Sequence, residues 1–238
     1  RFIRFKIMYN SKVETTTSQA IKLNLNGIKK ISKERILLEL FKILDLKNFI
    51  NLYESKYLKE LFSLIFPEFD NLEKLGRLKK IFNHSKINRD ILLAALLIGE
   101  KNNHEYFAHK YNISNDIKEN LNLLSNDLKL IKENKDFFDK DLEKNIYLSN
   151  KNHLINLNIL NFVNNSKCKL NDFLTILKKI LQSKEHFLPV DGKYLMQNGM
   201  KEGSALGRVL KIIEGEWIIN GFKISKDRIK KIINSNLS

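Results

Sequence analysis

The residues that could hold a metal or transfer a phosphoryl group are few and scattered. The densest acidic stretch is DFFDKDLEK, with Asp136, Asp139, Asp141 and Glu143. Asp-x-Asp is a two-metal spacing when it lies on a strand beside a cleft. Here the surroundings are helical and lysine-rich, no Gly-Ser turn precedes the pair, and the sixth-position glycine of a calcium loop is missing. The stretch reads as a helix N-terminus or a solvated loop. His104 and His109 are five apart, which does not bring them to one helix face. His84, His153 and His186 stand alone, and all five read as partly exposed helical histidines. No G-x-x-x-x-G-K phosphate loop is present. The residues by themselves therefore define no catalytic centre and no metal site.

Glycine is the second unusual feature. Six of the nine glycines and one of the two prolines fall in LPVDGKYLMQNGMKEGSALGRVLKIIEGEWIINGFKIS, residues 188–225. The stretch reads as a short helix opened by Asp191 and closed by Gly199, then a longer helix with Gly203 at its mouth and Gly221 at its end. Gly207 and Gly215 lie inside that helix, where glycine costs about 1 kcal/mol relative to alanine. Close approach of a neighbouring helix is the expected reason. Gly203 leaves N–H groups free at the positive end of a helix, a setting that suits phosphate. Lys193, Lys201 and Arg208 surround it in sequence. Two readings stay open: a tight helical hairpin with no ligand, or a phosphate contact.

These features must be positioned by helices. Ile36, Leu37, Leu40, Phe41 and Leu44 form one stripe in ISKERILLELFKIL, with Ser32 as N-cap and Glu34 in the first turn. TSQAIKLNLNG is expected to run as helix to Gly27, KYLKELFSLIF to Pro67, and SKINRDILLAALLIGE to Gly99. Ile117, Leu121, Leu124, Leu128 and Ile131 mark a long helix after Ser114, and further helices are expected at about 151–165 and 170–182. The nearest approach to a strand is KIMYNSKVETT. The fold class is all-α, an elongated array of about ten to twelve helices.

The chain has 238 residues, 42 Lys plus Arg against 27 Asp plus Glu, and a net charge of +15. Such an excess suits a polyanion, because neutralising phosphates releases counterions. Only seven of the 42 are Arg, and the wealth of Lys, Asn and Ile also fits simple compositional bias. Cys168 is the sole cysteine, which excludes an intrachain disulfide and Cys-rich zinc sites and suits a reducing, cytoplasmic setting. No apolar run approaches the roughly 20 residues of a membrane span.

Two segments at opposite ends resemble one family, the class II tRNA nucleotidyltransferases (CCA-adding enzymes) and bacterial poly(A) polymerases. Its neck has Arg-x-x-Arg-Phe, then T-x-x-A-I, then I-S-x-E-R-I-x-x-E-L. Here these are Arg1, Arg4 and Phe5; Thr17, Ala20 and Ile21; and Ile31, Ser32, Glu34, Arg35, Ile36, Glu39 and Leu40. FLPVDGKYLMQNGMKEGSALGRVLKIIEGEWIINGF resembles the family's tail, departing at Tyr194, often Asp, and Ser204, often Pro.

The resemblance implies an enzyme that adds CCA to tRNA 3′ ends, or A residues to RNA, from ATP and CTP with Mg2+. It also implies a catalytic head preceding the neck, where metal and nucleotides would bind; no cofactor is expected on this chain. RFIRFKIMY reads as the middle of something, so the natural N-terminus is expected upstream. The family's organisation implies a neck at 1–66, a helical body at 67–168 and a tail at 169–238. By the same resemblance Arg1 and Arg4 would lie beside the nucleotide pocket. Arg35, with Glu34 or Glu39, would brace it as a buried pair, and Lys193, Lys201, Gly203 and Arg208 would form an RNA-facing end. The partner would be tRNA or another RNA, held by shape and backbone. Two other readings remain: a stand-alone RNA-binding helical module and a helical protein-interaction scaffold.

Overall fold

The computed structural model describes residues 1–11, 14–69, 71–99, 101 and 103–237. Among them the chain is all-α, with fourteen α-helices, two 3-10 segments and no strand. In order these are α1 (Phe2–Tyr9), α2 (Thr15–Asn24), a 3-10 segment (Leu25–Lys30), α3 (Lys33–Leu44), a second 3-10 segment (Lys47–Glu54), α4 (Lys56–Ile65), α5 (Lys74–Ile81), α6 (Arg89–Leu97) and α7 (Asn103–Tyr111). There follow α8 (Asn115–Glu133), α9 (Leu142–Leu148), α10 (Lys151–Asn164), α11 (Leu170–Gln182), α12 (Gly192–Gln197), α13 (Ser204–Ile219) and α14 (Lys226–Asn234).

The count exceeds the expected ten to twelve because short helices such as α1 and α9 carry little periodic signal. Of the strand-like KIMYNSKVETT, Lys6–Tyr9 is helical and Lys12–Val13 lies outside the described residues. The helix expected to reach Gly27 gives way to 3-10 geometry after Asn24.

Residues Arg1–Asp139 with Lys151–Gln182 form one compact unit, and Lys140–Asn150 with Ser183–Ser238 a second. The expected neck and body segments both contribute to the first unit. The expected tail segment is divided between the two.

In the first unit, α6 buries every residue from Ile91 to Leu97. α10 buries Leu154, Leu157, Ile159, Leu160, Phe162 and Val163. A helix apolar round most of its circumference must be enclosed, and α10 packs against α5, α6, α8 and α11. Its one fully buried polar side chain, Asn158, donates from Nδ2 to the Phe173 carbonyl at 3.0 Å. Beside this core runs an aromatic chain. Phe62 packs on Phe49, Phe66 and Phe69; Phe69 meets Phe107, and Phe107 meets Tyr111 at 4.7 Å between centroids.

The C-terminal carbonyls of α10 have no partner within their own helix. Arg77 supplies one from α5. Its Nε and Nη2 donate to the Phe162 carbonyl at 2.8 and 2.5 Å. Nη2 also reaches the carbonyls of Asn165 and Cys168 at 3.0 and 2.8 Å. The guanidinium carbon lies 4.3 Å from the centroid of the Phe162 ring. A planar five-donor group suits three carbonyls converging at a helix end, which lysine could not match.

The second unit gathers α12, α13 and α14 round Val190, Leu195, Met200, Val209, Ile213, Ile229, Ile232 and Ile233. Trp217, Tyr147 and Phe222 meet edge to face, and His186 stacks on Phe222 at 3.8 Å. Tyr147 donates to Glu214 at 2.5 Å. Desolvation, and then that carboxylate, push the Tyr147 phenol up to about 12.

Replacing Arg77 with Met keeps an apolar stem and removes every donor. The Arg77→Met variant should lose about 2–3 kcal/mol of stability in urea denaturation, because hydrogen bonds from a charged donor are worth more than neutral ones. Arg77→Lys should recover only a minor part of that loss.

Candidate nucleic-acid interface

The residues expected at a nucleotide pocket lie on α1, on its N-cap Arg1 and on α3, and α1 and α3 pack together in the first unit. α1 buries Ile3 and Ile7 and turns Phe5, Met8 and Tyr9 outward. Phe5 and Tyr9, one turn apart, are stacked with centroids 6.3 Å apart and planes within 13°. α3 starts on Ser32, whose hydroxyl accepts from the Arg35 N–H at 3.4 Å, and buries Leu40, Ile43 and Leu44.

Glu39 faces α1. Arg4 Nε lies 2.8 Å from Glu39 Oε1 and Arg1 Nε 3.9 Å from Oε2. The 2.8 Å contact is an ion pair rather than an aligned hydrogen bond, since neither atom has a well-oriented hydrogen-bond partner among the described residues. Arg4 also lies 5.0 Å from the Phe5 ring centroid, while Arg1 is 83% exposed.

The buried pair expected of Arg35 does not form: Arg35 and Glu34 are both exposed. Three- and four-residue spacing puts Glu39 on the flank facing α1, and Arg35 joins Leu38 and Lys42 on the outer stripe. Glu34 serves the helix end instead. Hydrogen bonding from its own backbone N–H, and then from Ser32, holds its carboxyl below the ordinary range.

A second feature is a basic run that begins in α2 and ends in α3. From Lys22 to Lys42 there are six cations, Lys22, Lys29, Lys30, Lys33, Arg35 and Lys42, against two carboxylates, Glu34 and Glu39. All six cations are exposed, and Glu39 is engaged with Arg4. Leu23, Ile31 and Leu38 stand out among them. No side chain of α2 or the first 3-10 segment is fully buried, and Ile21, Leu25 and Ile28 are half-buried. α2 is tied to α4 by Tyr57, which donates to the Ser18 carbonyl at 3.4 Å, and by Lys22, 3.5 Å from Glu60. An exposed basic run on a lightly packed element is what backbone recognition of a polyanion needs. The run KKISKER carries this excess of cations in sequence, where Ser32 and Glu34 also signal the start of α3.

In the second unit Lys193 stands in the first turn of α12. Lys201 and Gly203 lie in the link to α13, and Arg208 sits in the second turn of α13. All four are exposed. Gly203 has φ 146° and ψ −171°, a conformation open essentially to glycine alone. The close helix approach expected at Gly207 and Gly215 is absent. A Cβ placed on either would meet nothing within 4 Å among the described residues. These glycines lie on the outer face of α13, with Arg208, Lys211, Ile212 and Ile219.

The remaining polar clusters are structural. Asp139 pairs with Lys179, and Asp141 is the residue that opens α9. His153 meets Asp127 at 2.7 Å and His186 meets Glu143 at 2.8 Å. His104 and His153 are buried, against the expectation of partly exposed histidines, and burial lowers the His104 pKa. Among the described residues no three His, Cys, Asp or Glu side chains come together as a metal site. No helix among them is long and apolar enough to cross a membrane.

Residues 11–73 match the family model described as "Probable RNA and SrmB- binding site of polymerase A". That segment is thus similar to a poly(A) polymerase-related RNA-binding domain. It spans α2, both 3-10 segments, α3 and α4, and contains the exposed basic run. α1, with Arg1 and Arg4, and the glycine-rich region lie outside it. No curated protein matches the chain.

The two kinds of glycine should respond oppositely. Gly207→Ala should raise stability by about 0.5–1 kcal/mol, since it adds helix propensity and meets no neighbour. Gly203→Ala should lower it by about 1–3 kcal/mol through backbone strain alone. Thermal denaturation of the two variants measures both.

Proposed function

We propose that this chain is the RNA-holding part of a template-independent nucleotidyltransferase that adds CCA to tRNA 3′ ends or A residues to RNA. The observation that carries the reading is a coincidence of position. The segment similar to an RNA-binding domain is also the segment whose helices present six exposed cations on a lightly packed surface. Lysine ammonium groups neutralise phosphates as point charges and read no base, which suits gripping an acceptor stem and elbow by shape. Lys193, Lys201 and Arg208 are assigned a second patch of backbone contacts, and Arg1 and Arg4 the edge of a nucleotide pocket. ATP, CTP and Mg2+ are assigned to a catalytic head that is not among these residues.

Binding of a tRNA to this chain should weaken steeply with salt. With about four to six phosphates contacted, affinity should fall roughly two to three orders of magnitude between 50 and 200 mM salt. The Lys29→Ala, Lys30→Ala, Lys33→Ala triple variant should reduce the slope of log affinity against log salt by about two to three, with folding nearly unchanged because all three side chains are exposed. The Lys201→Ala, Arg208→Ala pair should reduce it by about two. A flat salt response of the unaltered chain would favour a protein-interaction scaffold.

A further inference from the structure

α1 has two unlike faces. Ile3 and Ile7 are buried and hold it against α3 and the second 3-10 segment. Phe5, Met8 and Tyr9 are 44, 41 and 69% exposed. Spacings of three and four residues put these three on one side of the helix. A single exposed apolar side chain needs no explanation, but three large ones on one side of an eight-residue helix form a patch.

The two rings are ordered against each other, with planes within 13°. The Arg4 guanidinium carbon lies 5.0 Å from the Phe5 centroid, and the exposed Arg1 stands at the start of the same helix. Glu39 is the carboxylate at this end, 2.8 Å from Arg4 and 3.9 Å from Arg1, so two guanidinium groups share one negative charge. Phe2 provides the contrast. Its ring meets Tyr57 edge to face at 6.5 Å and lies 5.5 Å from the Lys6 ammonium, so it is taken up within the fold. Among the described residues neither Phe5 nor Tyr9 meets a further ring, and the Tyr9 hydroxyl makes no hydrogen bond.

Near-parallel exposed rings beside guanidinium groups suit a partner that is both planar and anionic. A nucleobase can lie on a ring, and an arginine can meet the phosphate beside it. Every base has a π face, so such a surface chooses no base. It does choose strandedness, because bases paired in a duplex are already stacked and cannot lie on a ring. Lysines of the basic run lack that choice, since they meet the phosphates of paired and unpaired RNA alike. The position agrees with this division. α1 packs against α3, whose outer stripe carries Arg35 and Lys42, and it immediately precedes the matched residues 11–73.

We propose that the Phe5 and Tyr9 face of α1 is a stacking platform for unpaired bases of single-stranded RNA, indifferent to base identity. The proposal rests on the RNA-binding reading above and adds which part of an RNA this end of the chain meets.

The test uses the full chain and fluorescein-labelled hexamers of A, of C and of abasic nucleotides with the same phosphates. Binding is read by fluorescence anisotropy, with a tRNA titrated in parallel. The unaltered chain should bind the A and C hexamers each about tenfold more tightly than the abasic one. Phe5→Leu, Tyr9→Leu keeps the face apolar and removes both rings. It should bring both hexamers down to the abasic level. Its thermal melt, its abasic affinity and its salt slope for tRNA should stay unchanged, because both side chains are exposed and neutralise no phosphate. Tyr9→Trp keeps a ring and should keep the preference, and the A hexamer should quench the emission of the added indole, since the native Trp217 is buried. Equal affinity of the unaltered chain for base-bearing and abasic hexamers would overturn the proposal, as would a double variant whose preference stays within twofold. A dimer of the unaltered chain that the double variant abolishes, at unchanged hexamer affinity, would overturn it in favour of a second copy on this face. Steep salt-dependent tRNA binding alongside any of these results would leave the RNA-holding reading standing. Binding of neither hexamer nor tRNA would overturn both.

Discussion

The first unit depends on enclosing α10. This helix is apolar on nearly every side, and water must be kept from all of them at once. Four helices, α5, α6, α8 and α11, do so. Enclosure creates its own difficulty, because the carbonyls at the helix end leave water along with the side chains. Arg77 resolves it from α5 with three carbonyl partners and a cation–π contact. The same arginine therefore links packing to polar satisfaction, and it joins residues more than eighty positions apart.

The basic surface follows the opposite logic. α2 and the first 3-10 segment bury no side chain fully, and α3 gives its outer stripe to Arg35, Leu38 and Lys42. Little of the folding free energy can come from these elements, since most helical stability in proteins comes from packing an apolar face. What they offer is charge held on short, regular backbone above a rigid core. That division suits electrostatic capture of a long polyanion, in which many weak contacts matter more than one exact fit.

Ion pairing sorts the cations by role. Arg4 lies against Glu39 and Lys79 against Glu54, while Arg228 pairs with Glu216 through two hydrogen bonds at 2.8 and 2.6 Å. Lys29 and Lys30 have no carboxylate neighbour within three residues in sequence and stand exposed. The charge excess of the composition is thus not spread evenly. Part is used between helices, and part faces solvent within the segment that matches an RNA-binding family.

Sequence alone determined what depends on near neighbours. The all-α class, the Ser32 and Asp191 caps, the ends at Gly199 and Gly221 and the burial of Leu40 and Leu44 on α3 all follow from residue type and spacing within about four residues. Tertiary structure alone decided what depends on distant neighbours. It paired Glu39 with Arg4 instead of Arg35 and gave Arg77 its carbonyls. It turned Gly207 and Gly215 to open space, and it buried Ile3 and Ile7 of α1 while leaving Phe5 and Tyr9 outward. Helical periodicity says that a face is apolar or charged. Only the packing of helices far apart in the chain says what that face meets.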